Sequence, residues 1–192
     1  MLKKCKEIKE ILVVVGSGIE NANTDTLAEA FTQGAIEAGH TVSKVFLGDA
    51  NISPCKGCNA CQHGNPCVVH DDMQALYPLF NKCDMLVLAS PLYFWTVSAR
   101  TKAFIERLYA AVQTEPGKYA KTVGKECALL MTAAENSFNT FENAVSFYRL
   151  TSNYLGWIDK GMVLAGWCGG TDAPRRVSED HLKAAYMLGK GL

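Results

Sequence analysis

Residues 11–24 read ILVVVGSGIENANT. Five apolar residues in an unbroken run, four of them β-branched, suit a strand buried on both faces at the centre of a parallel sheet. Gly16-Ser17-Gly18 stops that strand. A helix is expected over roughly 24–38, with Leu27, Phe31, Ala35 and Ala38 as its apolar stripe and Gly39 as its end.

The same alternation continues outward. TVSKVFL (41–47) reads as a second strand, DMLVLA (84–89) as a third, CALLMTA (127–133) as a fourth and KGMVLAG (160–166) as a fifth. Asp71-Asp72 is placed to cap a short helix that must accommodate Pro78. Ser98 opens a helix reaching about residue 112, and Asn139 with Glu142 has the spacing of a capping box for a helix closed by Gly156. Ser178 opens the last helix, with Val177 and Leu182 spaced as a staple. Five strands alternating with helices predict one α/β domain over 1–192, a three-layer sandwich with an open parallel sheet covered on both faces. Ligands of such sheets bind at the carboxyl ends of the strands, near the switch in strand order.

Bulk properties narrow the function classes. Lys+Arg and Asp+Glu are both 19, so net charge gives no reason to expect nucleic acid or an anionic membrane as partner. No run is long and apolar enough to span a bilayer, and the basic start MLKKCKEIKE leads into only five apolar residues followed by Gly-Ser. A cytoplasmic location is therefore expected. In a reducing compartment, clustered cysteines bind metal more readily than they form disulfides.

Two loops at the sheet's carboxyl edge offer complementary chemistry. The first, residues 16–24, lacks both GxxxxGK[ST] and GxGxxG, but provides Ser17, Asn23, Thr24 and a helix N-terminus. It contains no Lys or Arg and carries Glu20, so neutral donors would have to hold an anion there, a small monophosphate rather than a pyrophosphate. An ordinary polar turn capping a helix is the plainer alternative. The other loop, Ser90-Pro91-Leu92-Tyr93-Phe94-Trp95-Thr96, sets three consecutive aromatics after a buried strand. They cannot all face the core, so at least one is expected to cover a flat ligand or a partner subunit.

Cys55-x2-Cys58-x2-Cys61-x5-Cys67 packs four thiols into thirteen residues, with Gly57 and Gly64 permitting tight backbone. Cx2Cx2C spacing is used for [4Fe–4S] clusters. Zinc, with His63 or His70 as an extra ligand, and an empty loop are the rival readings. Cys5, Cys83, Cys127 and Cys168 are scattered and read as packed thiols. His40 and His181 read as ordinary surface or satisfied histidines, and Trp167-Cys168-Gly169-Gly170-Thr171-Asp172 as a subunit contact or a lid.

The stretch DMLVLASPLYFWTVSARTKAFIERLY resembles the flavodoxin-fold NAD(P)H-dependent FMN reductases, whose S-P-x-Y-F segment and K-x-F-I-[DE]-R helix border the flavin. Gly16, Ser17, Asn23 and Thr24 are similar to that family's phosphate loop, with its usual Arg replaced around Ile19–Glu20 and its usual Gly replaced by Ala22. The cysteines followed by Asp71-Asp72-Met73 resemble the iron–sulfur flavoprotein branch. The resemblance implies a flavodoxin-like fold, with five parallel strands in the order 2-1-3-4-5, and bound FMN. Ser17, Ile19, Asn23 and Thr24 would lie around the phosphate; Pro91, Leu92, Tyr93, Phe94 and Trp95 would flank the ring; Ala133, Ala134 and Glu135 would touch the ring or ribityl chain.

It further implies NAD(P)H as co-substrate, a flavin, a quinone or a redox protein as acceptor, and a homodimer or homotetramer. Cys55, Cys58, Cys61 and Cys67 would be the ligands of a [4Fe–4S] cluster if one is held. No protein side chain is expected to act as a catalytic acid or base, because the cofactor supplies the chemistry. A non-catalytic FMN- or metal-binding module is the remaining alternative.

Overall fold

A computed structural model describes residues 7–62, 65–112, 122–169 and 176–192. The chain runs β1 (Glu10–Val15), α1 (Asn23–Glu37), β2 (Thr41–Phe46), α2 (Met73–Lys82), β3 (Met85–Tyr93), β4 (Thr96–Val97), α3 (Ala99–Arg107), α4 (Tyr109–Val112), β5 (Glu126–Thr132), α5 (Glu142–Leu155), β6 (Ile158–Ala165) and α6 (Glu179–Lys190). Five strands pair in parallel in the order β2-β1-β3-β5-β6, and β4 joins β3 antiparallel. The expected order is observed, with one added strand.

Burial follows the period of two along the central strands. Leu12, Val14, Leu86, Leu88, Leu129 and Met131 share one face with Phe80, Phe104 and Tyr148, from α2, α3 and α5. Ile11, Val13, Val15, Val87, Ala89 and Leu130 fill the other with Leu27 and Phe31 of α1 and Ala185 of α6. The edge strand β2 has no fully buried residue, whereas Val163 and Ala165 are buried in β6 at the other edge.

Three local readings need correction. The third strand does not stop at Ala89: it runs to Tyr93, because Leu92 and Tyr93 pair with Val97 and Thr96 across a two-residue turn. The single helix expected to residue 112 breaks at Leu108 into α3 and α4. Asn139 caps nothing with its side chain; α5 starts after a turn in which the Thr140 hydroxyl accepts from Ser137 N–H at 2.8 Å. Pro78 sits within α2, as its place in the sequence demanded. Gly156 closes α5 in the left-handed region, at φ 68°. Cys5, His63, Gly64 and residues 170–172 lie outside the described residues. No helix is long and apolar enough to cross a membrane among the described residues.

Candidate functional site

The carboxyl ends of β1, β3 and β5 deliver three loops to one edge of the sheet. Gly16 N–H donates to Ala89 O at 2.8 Å, which docks the first loop on β3. Ser98 joins that loop to α3: its hydroxyl donates to Gly16 O at 2.7 Å and accepts from Thr101 N–H at 3.2 Å as the helix cap. The contact is close enough that a Cβ on Gly16 would lie 1.8 Å from Thr101 Oγ1. Only glycine fits there. Ser90 lies one strand away and accepts from Ser98 N–H at 2.9 Å, so the serine of the SPLYFW segment braces the base of the hairpin from the buried side.

Beside this junction opens a cleft of about 720 Å³, within the range for cofactor sites. Leu92, Tyr93, Phe94 and Trp95 form one wall, and Ala133, Ala134 and Glu135 line it from the loop after β5. Those seven expected residues are brought together. Pro91 is not in the lining; it is buried in β3 opposite Thr132. Phe94 and Trp95 have φ of 48° and 60°. That is a type I′ turn built from two aromatics, where Asn-Gly would be at ease. Holding bulky residues in the left-handed region costs about 1–2 kcal/mol each. Phe94 remains 92% exposed, so burial in the monomer does not offset that strain.

The four expected phosphate-loop residues are placed less simply. The Ser17 hydroxyl is buried and exchanges hydrogen bonds with the Ile19 backbone, at 3.0 and 3.2 Å. Ile19 itself is exposed. Asn23 spans to a different loop, donating to Cys168 O at 2.6 Å and accepting from Val177 N–H at 3.2 Å. Thr24 is buried against Thr132, hydroxyl to hydroxyl at 2.7 Å. No side chain caps α1, whose Ncap is Ala22. The donors left to an anion are therefore chiefly backbone N–H groups at a helix start.

The four clustered cysteines converge on one cavity of about 250 Å³ together with Glu106, Arg107 and Tyr109. Cys55 and Cys58 are exposed, while Cys61 is buried. Burial, then the neighbouring Cys67, Cys55 and Cys58, push the Cys61 thiol above its ordinary pKa. Among the described residues, no three His, Cys, Asp or Glu side chains already stand in metal-holding geometry. The donor set nevertheless suits a thiolate-ligated group. The buried Arg107 Nε has no hydrogen-bond partner and belongs to a residue lining this cavity. His70 is exposed and does not line it.

The loop's neck is clamped. Arg107 donates to Ser53 O at 2.9 Å on the entering limb and to Val69 O at 3.1 Å on the leaving limb. It also holds Asp71 in two bonds, at 2.7 and 3.1 Å. Tyr77 OH donates to Arg107 O at 3.2 Å, and burial, the largest cause, pushes its phenol up to about 12. The sequence reading missed Arg107 as a clamp and, though it set the K-x-F-I-[DE]-R helix beside the flavin, did not single out Lys102, which lines the cleft. Lys102 pairs with Glu106 at 2.5 Å, and Glu106 accepts from Cys55 N–H at 3.4 Å. Their i, i+4 spacing on α3 was the available signal. One helix thus borders both cavities.

The sequence model of one protein family, NADPH-dependent FMN reductase, matches residues 10–180. An iron–sulfur flavoprotein of Archaeoglobus fulgidus is 33% identical over 112 residues, which are 57% of this chain and 51% of that protein. The chain therefore spans about half the length of that relative. A putative NAD(P)H-dependent FMN-containing oxidoreductase of Bacillus subtilis, YwqN, is 26% identical over 184 residues, covering 93% of this chain and 96% of the other. Among solved structures, the NAD(P)H:quinone oxidoreductase from Methanothermobacter marburgensis superposes with a TM-score of 0.74 at 17% identity, covering 96% of this chain and 97% of the other. That likeness confirms the flavodoxin-like fold.

Proposed function

The chain belongs to the NADPH-dependent FMN reductase family, and we propose that it binds FMN and passes electrons from NADH or NADPH to a small acceptor, a flavin or a quinone. The observation that carries this reading is the cleft between the Tyr93–Trp95 turn and Ala133–Glu135, with the loop after β1 docked beside it through Ser98. When bound, FMN supplies the redox chemistry, accepting hydride from the nicotinamide and yielding electrons one or two at a time. The protein's own residues bind and orient. The aromatic turn gives a planar ring an apolar wall, and the polar loops receive its ribityl and phosphate tail. Backbone N–H groups at the start of α1 would hold the phosphate, with the α1 dipole favouring negative charge there.

Rapid mixing of the FMN-loaded protein with NADH or NADPH under anaerobic conditions tests this. Bleaching of the flavin bands, followed by reoxidation on adding a quinone or free flavin, is expected. A flavin that neither nucleotide reduces contradicts the oxidoreductase reading and leaves a binding module.

A second reading has its own support: four thiols line one cavity, and the A. fulgidus relative is named an iron–sulfur flavoprotein. Under it, Cys55, Cys58, Cys61 and Cys67 ligate a [4Fe–4S] cluster and the protein hands electrons to another redox protein. Anaerobically purified protein should then contain iron and sulfide, both lost in Cys58→Ser. Iron-free protein contradicts the cluster and leaves FMN binding intact.

We also propose a homo-oligomer. Phe94, Trp95 and Trp167 stand exposed near the sheet's carboxyl edge, and a second copy would cover them. Sedimentation at equilibrium tests it; a monomer at all concentrations contradicts it.

A further inference from the structure

We propose that Arg100, in the first turn of α3, supplies the cation for the FMN phosphate that the phosphate loop itself lacks. The proposal rests on the FMN reading above.

The loop from Gly16 to Thr24 contains no basic residue and includes Glu20. Its neutral side chains are largely committed elsewhere. Ser17 bonds the Ile19 backbone, Asn23 bonds Cys168 and Val177, and Thr24 bonds Thr132. A phosphate carrying close to two negative charges would meet backbone N–H groups and no formal positive charge from the loop.

Arg100 fills that gap from outside the loop. The Ser98–Gly16 hydrogen bond presses the start of α3 against the loop. The Arg100 guanidinium then lies over Gly18, where a Cβ would meet Nη1 at 3.2 Å, Cζ at 3.5 Å and Nη2 at 3.7 Å. Glycine lets the planar group rest on the loop backbone. Arg100 is exposed and makes no hydrogen bond or ion pair with another described residue, so its donors are available.

Nearby cations are engaged. Lys44 is paired with Asp25 and Glu29, and Lys102 with Glu106. Of the acids facing the loop, Asp25 is held by Lys44 and by Asn21 N–H at 2.9 Å, which leaves exposed Glu20 as the opposing charge. A guanidinium suits this task because its fork matches a phosphate's oxygens in pairs.

The test compares FMN with riboflavin, which has the ring and ribityl chain but no phosphate, by calorimetry on apoprotein. The wild-type protein should bind FMN more tightly than riboflavin. Arg100→Gln should weaken FMN about 10- to 100-fold, a loss in the range of one charged hydrogen-bond pair, and leave riboflavin unchanged. Arg100→Lys should recover part of the loss. Raising the salt should weaken FMN binding more in the wild type than in R100Q. Unchanged FMN affinity in R100Q overturns the proposal while FMN binding stands. Equal loss for both ligands also overturns it, because Arg100 would then act on the loop's shape. A wild type that takes up neither ligand refutes the FMN reading itself, and the proposal with it.

Discussion

The guanidinium of Arg107 and the carboxylate of Asp71 form a two-pronged ion pair in which the side chains are 1% and 3% exposed. The pair joins the far end of α3 to the neck of the cysteine loop, and both partners make further bonds to backbone there. Asp71 also accepts from Ser53 N–H at 2.9 Å and from Met73 N–H at 3.1 Å. Removing one partner leaves the other charge buried. Asp71→Ala is expected to destabilise the protein by about 3–5 kcal/mol, measured by urea unfolding. Asp71→Ala with Arg107→Met should restore part of that, since the stranded charge is gone.

The same pair sets an acid limit. Burial opposes the charged carboxylate of Asp71, but the bonds from Arg107, then from Ser53 and Met73, outweigh it and hold the carboxyl below its ordinary pKa. A group lowered in the folded state contributes stability that is in place above its unfolded pKa of about 4 and is lost as pH falls through the folded value. Unfolding free energy should therefore hold its Asp71 contribution from neutral pH down to about 5 and lose it below about 4. Asp71→Asn should flatten that acid limb; an unaltered acid limb in D71N contradicts the assignment.

The aromatic turn trades stability for a binding wall. Replacing Phe94 by Asn and Trp95 by Gly gives the pair of residues this turn prefers. The double variant should gain up to about 2–4 kcal/mol in thermal or urea unfolding, about 1–2 for each residue relieved, and lose affinity for FMN. Gained stability with unchanged affinity would mean that the turn does not touch the flavin.

Gly16 tests the junction between loop and helix. A methyl group there collides with Thr101 Oγ1 and comes within 2.9 Å of Ser98 Oγ. Gly16→Ala should cost about 1–3 kcal/mol of stability and reduce FMN affinity more than Thr101→Ser does, because it shifts the loop backbone.

Much of this was legible in the sequence for identifiable reasons. ILVVV, LVLA and ALLM are apolar on both faces, as strands buried between two helical layers require, so the central strands were legible, while their order came with the family resemblance. Tyr93, Phe94, Trp95 and Ala133–Glu135 were found because they sit at strand ends, where position along the chain fixes position in space. What the sequence hid depends on contacts between distant segments. Asn23 and Thr24 have the residue types of anion donors, yet partners 145 and 108 residues away take up their side chains. Arg107 looks like a helical surface residue until Asp71 folds back across 36 positions to meet it. The hairpin was read as a loop because two aromatics in left-handed geometry contradict turn preferences, which is the kind of local conflict a binding site leaves behind.

The most direct test of the account is an equilibrium titration of the apoprotein with FMN, followed by flavin fluorescence, alongside an Ala134→Trp variant whose new side chain fills the cleft. One FMN per chain bound by the wild type, and lost in A134W with the fold retained, is the predicted result. No uptake by the wild type, or equal uptake by A134W, would contradict the placement of the flavin between the Tyr93–Trp95 turn and Ala133–Glu135.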